Sequence, residues 1–145
     1  MDFQPTNAVD CHILAIDFMK KGELDKAMAF YRIALAMDPE FVKAIVNLGI
    51  VFKLKGDRKE AKTNFEKAIK IDPKNAPAYL NIGNLYLDEN KLKKAEEYYM
   101  KAIKANSEFG EAYYCVGSIY HAKGNIKGAE KYYSKAKKLG FRLTD

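Results

Sequence analysis

A glycine returns at Gly49, Gly83 and Gly117, each 34 residues after the last, inside an apolar frame that returns with it. Leu48, Ile82 and Val116 precede it, and Phe52, Tyr86 and Tyr120 follow three residues later. Further on come Ala61, Ala95 and Ala129, then Phe65, Tyr99 and Tyr133, then Ala68, Ala102 and Ala136. A period of about 34 with alternating small and large columns marks a helix–turn–helix repeat array, in which each unit buries its apolar face only against its neighbours. An all-α solenoid is therefore predicted. The functional question becomes what such an array holds.

The glycine column divides the chain into an N-terminal segment (1–7), four units (8–41, 42–75, 76–109 and 110–143) and a short C-terminal tail (140–145). Each unit contains two helical stretches separated by Gly22, Gly56, Asn90 or Gly124. Glycine, and asparagine after it, suits the left-handed residue that ends a helix. Pro39 and Pro73 fall between units, where no helical N–H is lost. Pro77 fits the first turn of a helix. The Gly and Ala columns are small where paired helices approach closely, and the aromatic columns fill the wider gaps.

The second unit reads Ile45, Leu48-Gly49, Phe52, Ala61, Phe65, Ala68 and Pro73. That order of a large apolar residue, Leu-Gly, an aromatic, Ala, an aromatic, Ala and a closing Pro resembles the tetratricopeptide repeat. The third unit follows with Tyr79, Ile82-Gly83, Tyr86, Ala95, Tyr99 and Ala102, with Ser107 in the proline column. The fourth follows with Tyr113, Val116-Gly117, Tyr120, Ala129, Tyr133 and Ala136, with Phe141 in that column. The first diverges most, reading Cys11, Leu14-Ala15, Phe18, Ala27, Tyr31, Ala34 and Pro39. The resemblance implies a right-handed α-solenoid whose first helices line a concave surface that holds a peptide from another protein.

In the second unit Ile45, Leu48, Gly49 and Phe52 share one side of the first helix, leaving Lys43, Val46, Asn47, Ile50 and Leu54 on the other. That second side should be polar if it only met water. Instead, Ile16, Val46, Ile50, Leu80 and Tyr114 form an apolar stripe, predicted to face away from the core and to anchor a ligand. Corresponding first-unit residues are Val9, His12, Ile13, Ile16 and Lys20. The candidate groove comprises His12, Ile16 and Lys20 from the first unit and Lys43, Val46, Asn47, Ile50 and Lys53 from the second. Leu80, Asn81, Asn84 and Leu87 come from the third, and Glu111, Tyr114, Ser118 and His121 from the fourth. Asn47 and Asn81 share a column, and such amides can pair with an extended peptide backbone.

Lys20, Lys43 and Lys53 flank the first two units, whereas Asp88 and Glu111 lie towards the last two. A partner segment, extended or helical, with an acidic part towards the first units is expected. The carboxylate clamp that the resemblance raises needs lysine, asparagine and arginine on successive first helices. Here the columns read His12 with Ile16, Val46 with Ile50, and Leu80 with Asn84. The clamp is not expected.

The formal charge of +6 raises nucleic acid, but the basic residues are mostly scattered lysines, and the only arginines are Arg32, Arg58 and Arg142. No nucleic-acid partner, membrane insertion or cofactor is predicted. The first twenty residues carry Asp2, Asp10 and Asp17 and lack an export pattern, which makes the cytoplasm the expected compartment. Cys11 and Cys115 stand far apart, which disfavours a bridge between them. His12 and His121 lack neighbours at metal-ligand spacing, and Cys115 and His121 fall on different sides of a helix. No catalytic motif is present, and the chain is read as a non-enzymatic adaptor or scaffold.

An array must solubilise its ends. Asp10 and Asp17 occupy the columns of Ala44, Ala78, Ala112 and of Val51, Leu85, Ile119, so the first unit is expected to begin the array. Lys137 replaces the column of Leu35, Ile69 and Ile103, yet Leu139, Tyr132 and Phe141 leave apolar surface. The alternative function is self-association into a homo-oligomer through this C-terminal edge or through the groove, with the segment around Phe3 and Pro5 available for exchange.

Overall fold

The computed structural model describes residues 4–143. Phe3 and the end of the 140–145 tail lie outside these residues. Among the described residues there are eight helices and no strand. They are α1 (Ala8–Lys20), α2 (Leu24–Met37), α3 (Val42–Leu54), α4 (Arg58–Ile71), α5 (Ala76–Asp88), α6 (Leu92–Ala105), α7 (Gly110–Ala122) and α8 (Ile126–Lys138). The chain divides into two compact halves, 1–72 and 73–145. In the first, α1 packs on α2, α2 on α3 and α3 on α4; in the second, α5 packs on α6, α6 on α7 and α7 on α8.

The hairpin turns are set by backbone conformation. Gly56 has φ +86° with open space around it, and Asn90 does the same work at φ 58°. Both lie in the left-handed region, where a side chain is normally strained and asparagine is the best-tolerated exception. Helix starts are capped locally. Asn7 Oδ1 accepts the Asp10 N–H at 2.9 Å, Asp57 accepts from Glu60, and Asn75 accepts from Ala78. Each bond satisfies an N–H that the helix itself leaves unpaired.

Close approach is greatest at the recurring glycine. A Cβ on Gly83 would stand 2.6 Å from Tyr99 Cε1, and the matching distances are 2.6 Å at Gly49 against Phe65 and 2.7 Å at Gly117 against Tyr133. The aromatic ring of the second helix thus lies flat on the backbone of the first. Tyr31, Phe65 and Tyr99 are fully buried by this arrangement. In the first half Ala44 and Val51 of α3 are buried with Ala27 and Ala34 of α2; in the second, Ala112 and Ile119 of α7 are buried with Ala95 and Ala102 of α6.

The C-terminal edge is more packed than its sequence implies. Gly140 adopts φ +85° and the Phe141 N–H returns to the Ala136 carbonyl at 3.0 Å, ending α8 with a reversed turn. Phe141 is thereby folded over Gly110 and against Tyr114, with ring centroids 5.2 Å apart. Tyr132 stacks on Tyr120 at 5.2 Å. Both rings expected as exposed surface are half-buried instead.

Candidate functional site

The first helices present a consistent outward face, though not the one drawn from the sequence. His12, Val46 and Leu80 are buried, at 7%, 6% and 3% exposure, and are withdrawn from the groove. Helical geometry supplies the reason. Val46 lies about 100° from Ile45, on the flank of the helix, whereas Lys43, Ile50 and Leu54 lie about 140–180° from it. At His12 a second helix and the chain just before α3 cover that flank. The His12 ring meets Tyr31 of α2 at 5.7 Å and Phe41, just before α3, at 4.8 Å. Tyr114, in the same column, meets Tyr133 at 5.1 Å as well as Phe141, and is half-buried. Leu80 belongs to the cluster around Tyr99.

What remains outward differs between the halves. In the first, α1 offers Val9, Ile13, Ile16 and Lys20, and α3 offers Lys43, Asn47, Ile50 and Leu54. Val9 and Ile13 are each 55% exposed and Leu54 is 58% exposed, while Ile16, Ile50 and Lys53 are half-buried. Val9, Ile13 and Leu54 were visible on this face in the sequence but are absent from the candidate set. Lys20 and Lys43 are exposed beside them. In the second half the same columns hold Asn81, Asn84 and Asp88 on α5 and Glu111, Cys115 and Ser118 on α7. Leu87, Glu111 and His121 are exposed, and Asn81, Asn84 and Ser118 are half-buried.

The asparagines have internal partners. The Tyr99 hydroxyl donates to Asn84 Oδ1 at 2.6 Å, and the Tyr133 hydroxyl reaches Ser118 Oγ at 3.5 Å. The Tyr31 hydroxyl approaches Met19 Sδ at 4.0 Å. Burial pushes the Tyr31 hydroxyl up to about 12, with the Asn47 amide opposing the shift; Tyr99 is raised further, again by burial first. In the second repeat the ring is Phe65 and the residue in the Asn84 column is Ile50, so no hydroxyl needs a partner there. Asn81 Nδ2 bonds the Pro77 carbonyl of its own helix at 2.9 Å. Asn84 thus serves a buried tyrosine and Asn81 its own helix, each through one of its polar atoms.

Burial, and then the Lys43 ammonium, hold the His12 imidazole below its usual 6.5, and His12 Nδ1 has no hydrogen-bond partner among the described residues. Both cysteines are free thiols, and burial followed by Glu111 pushes Cys115 up to about 12. Among the described residues no group of three or more His, Cys, Asp or Glu could hold a metal ion, and no helix is long and apolar enough to cross a membrane.

Paired helices in repeated hairpins, with an outward face on the first helices, define an all-α helical-repeat protein. The tetratricopeptide repeat family profile matches residues 52–114, and a second profile of the same description matches 18–41 and 110–139. The chain belongs to the tetratricopeptide repeat family, with four helix–turn–helix repeats. No curated protein matched the sequence. Among solved structures, one of MamA is similar at 26% identity and TM-score 0.74, over 94% of this chain and 80% of that one. PilF of Pseudomonas aeruginosa is similar at 22% identity and TM-score 0.80, over 97% of this chain and 64% of that one. A chain of the APC/C hetero-tetramer Cut9-Hcn1 reaches TM-score 0.83 at 17% identity, over 95% of this chain and 26% of that one. The last two likenesses concern fold alone. The family membership supports a role in protein–protein interaction.

Proposed function

We propose that this chain is a non-catalytic, cytoplasmic adaptor whose first helices hold a segment of another protein. The observation that carries the reading is the outward face of α1 and α3. Val9, Ile13 and Leu54 are exposed, Ile16 and Ile50 are half-exposed, and Lys20, Lys43 and Lys53 border them. An apolar patch rimmed by charge is characteristic of a partner site. The matching ligand is a protein segment with apolar anchors and neighbouring acidic side chains. Each anchor contributes about 1.5–3 kcal/mol on burial, so two or three support micromolar binding after ordering losses. The α5 and α7 face, with Asn81, Asn84, Leu87, Glu111, Tyr114, Ser118 and His121, by itself suits a polar, non-acidic segment.

Affinity capture from the native host, using the unmodified chain and an Ile13→Glu/Leu54→Glu variant, tests the reading. Proteins retained by the first and lost by the second are the expected result. Identical retention by both would refute it. Replacing Lys20, Lys43 and Lys53 with Ala should weaken binding and flatten its salt dependence; unaltered binding would remove the acidic part of the ligand from the proposal.

A further inference from the structure

We infer that a second copy of this chain stacks head-to-tail on the outer face of α8, its α1 resting there as α3 rests on α2 and α7 on α6. Inside each half the receiving column is apolar. Val51 of α3 shares a cluster with Leu35 of α2, and Ile119 of α7 shares one with Ile103 of α6. The column of Val51 and Ile119 holds Asp17 in α1, and the column of Leu35 and Ile103 holds Lys137 in α8. Both are exposed. A junction that is apolar within the chain is therefore acid against base between chains.

A second pair of columns repeats the pattern. At the internal junctions Lys55 reaches back to Asp25, and Lys123 reaches back to Glu96 at 2.8 Å. Lys21, which caps α1, stands in the column of Lys55 and Lys123; in α8 the column of Glu96 holds Glu130 while that of Asp25 holds Lys127, so the α6–α7 junction is the one repeated. Lys21 presently pairs with Asp17 at 2.8 Å, an exposed contact of little energetic weight. Stacking exchanges that pair for two across the junction, Asp17 with Lys137 and Lys21 with Glu130. Any polar residue would solubilise an end. Opposite charges in matching columns instead fit the occupant that carries both, a copy of the same chain.

The receiving face is partly prepared. Tyr114, Tyr133, Ala136, Phe141 and Leu143 line a cleft of about 520 Å³ beside Lys137. Asp17 and Lys21 lie about 100° round α1 from Ile16 and Lys20, so stacking leaves the proposed ligand face open. The contact is heterologous, joining unlike faces, so a pair of copies still leaves one α1 face and one α8 face for further copies.

Light scattering of the full chain at low salt, across a wide concentration series, is expected to show a mass that climbs above that of a single chain and falls back in high salt. Lys137→Asp and Asp17→Lys each place like charges at the junction and should weaken association roughly tenfold or more. An equimolar mixture of the two variants should associate again, because each then meets an opposite charge at both of its ends. Far-UV circular dichroism confirms that both variants remain helical. A single-chain mass throughout, association that survives either single change, or a mixture that stays dissociated would each overturn the inference. Ligand capture through Ile13 and Leu54 is measured separately and does not depend on the result.

Discussion

The Tyr99 hydroxyl, on an otherwise fully buried ring, ends 2.6 Å from Asn84 Oδ1. It crosses the hairpin from α6 and emerges beneath the outward face of α5. In the same column Ser118 stands over Tyr133 and Ile50 over Phe65, whereas Ile16 stands over Tyr31, whose hydroxyl approaches Met19 Sδ.

Asn84→Leu should strand this hydroxyl and lower stability by about 1–3 kcal/mol. The double change Asn84→Leu/Tyr99→Phe reproduces the pairing of the second repeat and should recover most of the loss. Urea unfolding of the two single variants and the double variant closes the cycle; strictly additive losses would mean that the two groups act independently.

Gly83→Ala brings a Cβ to 2.6 Å from Tyr99 Cε1, on a buried ring anchored by Asn84. The gain in helix propensity is about 1 kcal/mol, and the overlap should exceed it, for a net loss of about 1–3 kcal/mol. Thermal unfolding measures the balance, and a stabilised variant would show that the ring yields.

Leu80→Ala should lose about 2–5 kcal/mol, because a buried side chain is deleted from the cluster around Tyr99. Ile13→Glu, on an exposed position, should stay within about 0.5 kcal/mol of the parent. Denaturant midpoints for the pair distinguish a core position from an outward-facing one in the same type of helix.

His12 should make stability fall on acidification. Its folded pKa is lowered, by burial first and Lys43 second, so the unfolded chain takes up the proton more readily, near its ordinary 6.5. The contribution is present above that value and is lost as pH falls through it towards the lowered folded value. Urea midpoints at about pH 7.5 and pH 5.5 should differ less in His12→Phe than in the parent; an equal drop in both would assign the effect to other groups.

The repeat frame was legible because its causes are local. Gly56 and Asn90 mark places where the backbone must turn left-handed, and Gly49, Gly83 and Gly117 mark where a ring lies against a helix. These demands act within one hairpin and recur every 34 residues. The outward face of the first helices was legible only in part. Ile16, Ile50, Lys20 and Lys43 stand where the periodicity placed them, while Val9, Ile13 and Leu54 were on the same face and undervalued.

Tertiary packing decided the remainder. A helical wheel gives the direction of His12, Val46 and Leu80 but not the breadth of the arc that neighbouring chain covers, and that breadth put all three inside. It also bent Phe141 back onto Tyr114 and gave Asn84 to a tyrosine hydroxyl. Periodicity alone therefore determined which helices pair and where they turn. Which side chains stay free to meet another molecule depended on contacts between residues distant in sequence, and these arise only once the hairpins have packed.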